Sequence, residues 1–159
     1  MSSKPHLFFV GVGNMGNPMA ANLIRAGYPT TVFDLAREKA DNLIEFGAQW
    51  ADSLAAGAKN ANVVMCSLPG PKQVREVMLG PQGLIAHVNA GTTIIDTSTS
   101  AVDLVKELTQ LTEAKGVDFL EAPVTNAVDF AALGKLSIFV GGSVAAYQKH
   151  KPLFEVIGE

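Results

Sequence analysis

Gly11-Val12-Gly13-Asn14-Met15-Gly16 fits the pattern G-x-G-x-x-G, and Asp34 follows at the end of the next apolar run. The spacing asks three different freedoms of glycine. Gly11 permits a tight turn, Gly13 lets a pyrophosphate reach the backbone where a Cβ would collide, and Gly16 lets a helix lie close on a strand. Amides at the helix start then face the anion with the helix dipole behind them, and Val12, Asn14 and Met15 are expected to bind cofactor with the glycines. An acid placed like Asp34 accepts hydrogen bonds from an adenosine ribose and favours NAD. Arg37 stands close enough to meet a 2′-phosphate, so NADP stays open. A plain turn and a solvated strand end would explain these residues separately. Their joint register points to dinucleotide binding.

The elements that must hold this loop follow from apolar periodicity. Leu7 to Val10 reads as a strand, and Met15, Met19, Leu23 and Ile24 keep helical spacing up to a stop at Gly27. A strand is expected over 30–33, a helix over 36–46 and a short helix from a Ser53 cap to Ala58. Val63-Val64-Met65-Cys66 is apolar throughout, as expected for a strand covered on both faces. A helix over 72–79, a strand over 92–95, a helix over 101–114 with Val105, Leu108 and Leu111 inward, and a strand over 117–120 come next. A polar loop, a strand over 136–140 and a helix from Ser143 toward Phe154 complete the rhythm. Repeated strand–helix units imply an α/β, Rossmann-like doubly wound, mainly parallel sheet with helices on both faces.

Composition narrows the class. The chain has 159 residues, 48% apolar and 17% charged, enough for one domain with a real core. The net charge of −3 argues against a nucleic-acid or anionic membrane surface. No apolar run approaches a membrane span, and the polar start from Met1 to His6 shows no signal peptide. A single cysteine, Cys66, excludes an intrachain disulfide and fits an inert core thiol. A soluble cytoplasmic protein is the expectation. His6, His87 and His150 lack metal-ligand spacing, so no metal is expected. Trp50 is expected to pack.

Four stretches together resemble the β-hydroxyacid dehydrogenase family, which includes 3-hydroxyisobutyrate dehydrogenases and, more distantly, 6-phosphogluconate dehydrogenase. They are the glycine loop continued through Asn17-Pro18-Met19-Ala20-Ala21-Asn22-Leu23; Ser67-Leu68-Pro69; Asp96-Thr97-Ser98-Thr99; and Glu121-Ala122-Pro123-Val124-Thr125 followed by residues 134–142. The resemblance runs along essentially the whole chain in the family's order. It implies that Leu68, Pro69 and Gln73 pass the nicotinamide half of the cofactor and that Thr99 reaches the nicotinamide ribose. Ser98 and Thr99 have a second reading, as caps for the helix beginning near Ala101.

The resemblance also implies hydride transfer between a short 3-hydroxy acid, or its semialdehyde, and nicotinamide. Ser98 and the stretch Thr125-Asn126-Ala127 would meet the substrate. Here the sequence departs from the family, which usually has Ser-Gly-Gly. Without those glycines the backbone is expected not to approach substrate in the same way, and the Asn126 amide could bond a carboxylate or hydroxyl instead. Asp96 and Glu121 are expected to be structural acceptors. The family's proton-transfer lysine would fall beyond Glu159, and Lys135 and Lys149 read as surface residues. The expectation is therefore a dinucleotide-binding domain over 1–159, inactive alone, truncated before an all-helical substrate and dimerisation domain of a homo-oligomer. Other readings are an imine reductase on this fold and a non-catalytic nucleotide sensor.

Overall fold

Leu7–Val10 (β1) and Val63–Cys66 (β4) are apolar and buried at every position, and Thr93–Asp96 (β5) is buried just as completely. Strands without a solvent face need helices on both sides. The computed structural model describes residues 3–159, so Met1 and Ser2 of the polar start lie outside it. Its remaining elements are Gly16–Arg25 (α1), Thr30–Phe33 (β2), Asp41–Glu45 (α2), Gln49–Trp50 (β3), Leu54–Ala58 (α3), Pro71–Leu79 (α4), Leu84–His87 (α5), Val102–Glu113 (α6), Asp118–Glu121 (β6), Val124–Thr125 (β7), Val128–Ala132 (α7), Ser137–Ile138 (β8) and Val144–Ile157 (α8).

The main sheet has six strands in the order β3-β2-β1-β4-β5-β6, and every neighbouring pair is parallel. Alternation along each strand divides the core. Leu7, Phe9, Val63, Met65, Ile95 and Leu120 pack on one face with Met19 and Leu23 of α1 and Phe154 of α8. Phe8, Val10, Val64, Cys66, Ile94 and Phe119 pack on the other with Val74 and Met78 of α4 and Leu104 and Leu108 of α6. Gly57 is needed there, because an added Cβ would stand 2.1 Å from the Phe8 ring.

Several expectations need correction. The helix expected over 36–46 is a 3₁₀ turn at Arg37–Ala40 followed by α2. Asn17 Nδ2 donates to the Lys39 carbonyl at 2.8 Å, an acceptor that a continuous helix would give to Leu43. Trp50 packs as expected, stacking on Phe33 with ring centroids 5.9 Å apart, but it does so from an edge strand that was not expected. On α6 the inward residues are Leu104, Leu108 and Thr112, while Leu111 is exposed. The stretch 136–140 adds no strand to the main sheet. Its Ser137 and Ile138 pair antiparallel with β7 in a small ribbon that encloses α7. The Ser53 cap is present, accepting from the Ala56 amide at 3.1 Å.

Candidate functional site

Parallel register brings the strand ends to one edge. Val10 is level with Phe33 and Cys66, Cys66 with Asp96, and Asp96 with Glu121. Each stretch singled out in the sequence begins at or just past that line. The winding reverses between β1 and β4, so the glycine loop leaves the sheet at its topological switch point, where open α/β sheets bind ligands.

The three glycines have separate reasons. Gly11 has φ +87, and a Cβ there would lie 2.2 Å from the Ser67 carbonyl oxygen. A Cβ on Gly16 would lie 1.9 Å from the Gly11 carbonyl oxygen and 3.2 Å from the Phe9 ring. Around Gly13 nothing lies within 4 Å of the added atom, so this position opens to solvent. Met15 supplies no side-chain cap and the first turn of α1 carries no acid. The Asn17 amide makes the first helical bond, to the Gly13 carbonyl at 2.9 Å. The amides ahead of it, those of Asn14, Met15 and Gly16, are left for an anion. Gly13 and this uncapped end fit a bound pyrophosphate.

Asp34 is clamped rather than solvated. Its Oδ2 accepts from the Val12 amide and its Oδ1 from the Ala36 amide, each at 3.0 Å. The carboxylate thus ties the glycine loop to the end of β2, and its remaining lone pairs can take ribose hydroxyls. The cation beside it is Lys39, at 3.9 Å. Arg37 instead pairs with Asp41 at 3.3 Å and lies 5.6 Å over the Trp50 ring.

The loops after β4 and β5 are locked together. Ser98 Oγ accepts from the Leu68 amide at 2.9 Å, and Thr97 donates to the Cys66 carbonyl through both its amide, at 2.8 Å, and its hydroxyl, at 2.7 Å. Asp96, 1% exposed, accepts from the Ser98 amide at 3.0 Å and the Ser100 hydroxyl at 3.1 Å. Thr99 therefore projects from a turn whose two flanks one carboxylate holds. Burial raises the Asp96 carboxyl above its ordinary value, Glu121 adds to the rise, and the bonds from Ser98 and Ser100 oppose it. Burial likewise pushes the Cys66 thiol well up, which keeps it protonated. The expected cap is overturned: Ala101 precedes α6 and no side chain caps that helix. The Ser98 hydroxyl is engaged by Leu68 instead.

Pro69 and Gln73 are exposed beside this turn, with Gln73 Oε1 within 3.8 Å of where a Gly70 Cβ would be. Thr125, Asn126 and Ala127 are exposed on the ribbon that continues from β6, anchored by paired Glu121–Gly141 backbone bonds of 3.0 and 2.8 Å. Asn126 has φ +83, a left-handed conformation that asparagine tolerates. Position 126 thus takes a backbone conformation that glycine also adopts freely. The Asn126 Nδ2 donates to Ser137 Oγ at 3.2 Å, leaving its carbonyl oxygen as the free acceptor. A carboxylate cannot donate to that oxygen, but a hydroxyl can. Sequence reasoning missed the bonds made by Asn17, Asn22 and Ser100. The Met-Ala-x-Asn-Leu stretch was a signal for Asn22 alone.

A parallel six-stranded sheet with a glycine loop at its switch point is matched by known proteins. The family described as the NAD binding domain of 6-phosphogluconate dehydrogenase matches residues 6–159. The chain belongs to this family. Within it, 3-hydroxyisobutyrate dehydrogenase of Pseudomonas aeruginosa is 41% identical over 150 residues, covering 94% of this chain and 50% of that protein. The NAD-dependent L-serine dehydrogenase of the same organism is 39% identical over 150 residues, with the same coverage of 94% and 50%. The solved 3-hydroxyisobutyrate dehydrogenase of Mycobacterium tuberculosis with L-serine superposes with a TM-score of 0.91 at 32% identity, over 98% of this chain and 53% of that one. The chain thus spans about half the length of the curated relatives it matches. No helix among the described residues is long and apolar enough to cross a membrane.

Proposed function

We propose that this domain binds NAD in preference to NADP and serves a dehydrogenase that interconverts a short 3-hydroxy acid and its semialdehyde. The observation that carries this is the glycine loop joined to Asp34 through the Val12 amide, at 3.0 Å, beside the uncapped start of α1. The amides of Asn14, Met15 and Gly16 would hold the pyrophosphate, whereas those of Gly11 and Val12 are taken by the Phe33 carbonyl and by Asp34. Asp34 would accept from the adenosine ribose and repel a 2′-phosphate, with Lys39 moderating that repulsion. Leu68, Pro69 and Gln73 would flank the nicotinamide half, and Thr99 would meet its ribose. When bound, the cofactor accepts or returns the hydride of the substrate's carbinol carbon.

For the substrate, Thr125, Asn126 and Ala127 form the candidate surface. The Thr125 hydroxyl and the Asn126 carbonyl oxygen suit the polar end of a small hydroxy acid. Ser98 is 6% exposed and supports Leu68, so it is assigned to holding the cofactor loop rather than touching substrate. The names of the relatives support this substrate class, and the proton-transfer group is not assigned to any residue of this chain.

Calorimetric titration with NAD and NADP tests the first part, and equal affinity for the two would overturn the preference. Assay of the full protein against a panel of 3-hydroxy acids, serine included, tests the second. Activity with none of them would refute the assignment.

A further inference from the structure

We infer that Asn22 is a positioning residue: it ties the helix that carries the glycine loop to the segment that follows Thr125–Ala127. Asn22 lies in the second half of α1, between the buried Ala21 and Leu23. Its Nδ2 donates to the carbonyl oxygens of Ala131 at 2.9 Å and Ala132 at 3.3 Å. Those carbonyls close α7, which begins immediately after Ala127.

The end of α7 explains why a side chain from elsewhere is needed. Lys135 N bonds the Phe130 carbonyl at 2.9 Å and Gly134 N bonds that of Ala131 at 3.1 Å, with Gly134 at φ +67. That is a Schellman ending, and it leaves the Ala132 carbonyl without a helical donor. A five-residue helix has too few internal bonds to hold its own position. Asn22 supplies the missing donor from α1. A Cβ on Gly134 would come 2.7 Å from the Val156 carbonyl oxygen and 3.6 Å from Asn22 Nδ2, so side chain and turn fit closely. The other side of the 125–127 turn is held by Asn126 bonding Ser137. The candidate substrate turn is thus fixed on one side to its own ribbon and on the other to the cofactor helix. A ligand that steadies the start of α1 steadies α7 through Asn22. The response to cofactor rests on the proposed NAD binding; the positioning itself does not.

Hydrogen exchange of the chain, alone and with saturating NAD, tests this. Asn22→Ala removes the side chain, and Asn22→Asp keeps its shape without an N–H to donate. Each is expected to speed exchange at Leu133, Gly134 and Lys135 about fivefold. NAD is expected to slow those amides in the unaltered chain and not in either variant. Asn89→Ala removes a comparable bond, to the Lys59 carbonyl at 2.8 Å, and is expected to leave these amides and their response unchanged. Unchanged exchange at 133–135 in the Asn22 variants, or equal loss in Asn89→Ala, would overturn the inference. If one Asn22 variant fails to fold, the other decides. If calorimetry finds no NAD binding, the cofactor reading fails, while ligand-free exchange still decides the role of Asn22.

Discussion

The hydroxyl of Ser98 accepts a hydrogen bond from the Leu68 amide at 2.9 Å, joining the turns that follow two adjacent strands. Ser98 is in turn held by Asp96 through its own amide. Ser98→Ala leaves a partly buried N–H without a partner and is expected to cost about 1–3 kcal/mol of stability. Because the Leu68 turn is assigned to the nicotinamide half, NAD affinity should fall while ADP affinity stays unchanged. Denaturant unfolding and parallel titrations with NAD and ADP check this. An equal loss for both ligands would place Leu68 elsewhere.

Gly13 and Gly16 predict opposite failures. A Cβ at Gly16 meets the Gly11 carbonyl oxygen at 1.9 Å, so the backbone must move, and Gly16→Ala should lose about 2–3 kcal/mol or more. A Cβ at Gly13 meets nothing, so Gly13→Ala should melt close to the unaltered chain. It should nevertheless bind NAD about tenfold more weakly, because the methyl keeps phosphate from the amides. Thermal melts and calorimetry on both variants separate the roles. Undiminished affinity in Gly13→Ala would remove the pyrophosphate from this loop.

The proposed preference for NAD rests on Asp34. Asp34→Ser removes the charge and shortens the acceptor, and should weaken NAD about tenfold while NADP weakens less or gains. Part of the loss comes from the amides of Val12 and Ala36, which then lack their carboxylate. Lys39→Ala should widen the preference for NAD, since it takes away the cation 3.9 Å from Asp34. The ratio of the two dissociation constants is the readout, and a ratio unmoved by Asp34→Ser would sink the assignment.

Much of the sheet could be read in advance because its inner strands are short apolar runs ended by Gly, Pro or Asp. Leu7–Val10, Thr30–Phe33 and Val63–Cys66 have the expected bounds. The two-residue strands Gln49–Trp50 and Val124–Thr125 were not readable, since two residues carry no alternation, and Ser137–Ile138 is the short core of the strand expected over 136–140. Among the site residues, the glycine loop and Asp34 declared themselves because one local unit must contain both. Asn22 did not: a polar residue in an amphipathic helix is ordinary, and its partner lies 109 residues away. Leu111 misled because period alone cannot tell which edge of an apolar stripe faces the sheet. Ser98 misled because a serine before a helix is usually a cap, whereas here a buried carboxylate turns it toward the neighbouring loop.

Asn126 tests whether the left-handed turn or the amide matters. Asn126→Val forces a β-branched residue to φ +83 and should cost about 1–2 kcal/mol. Asn126→Gly relieves the backbone and should stay within about 1 kcal/mol of the unaltered chain, losing only the exposed bond to Ser137. In the dehydrogenase proposed above, a rise in KM for hydroxy acids in Asn126→Gly at unchanged NAD affinity would assign the amide to substrate. An unchanged KM would leave it only the turn.

His150 sets a pH dependence remote from the site. It is 3% exposed on α8, and its Nε2 meets the Thr93 hydroxyl of β5 at 2.8 Å. Burial lowers its pKa to about 4, with Lys149 adding to the drop and Asp118 opposing it. In the unfolded chain the imidazole titrates near its ordinary 6.5. Between these values the unfolded state holds a proton that the folded state lacks, so stability falls as pH drops through that window and is fully present above it. The loss should be on the order of 2 kcal/mol, the full shift being discounted for solvent screening of the neighbouring charges. His150→Asn lacks this titration. It should be less stable than the unaltered chain at pH 7.5, and the gap should narrow steadily toward pH 4. Urea midpoints for both chains across that range provide the check, and a gap independent of pH would mean that His150 is not held neutral in the folded protein.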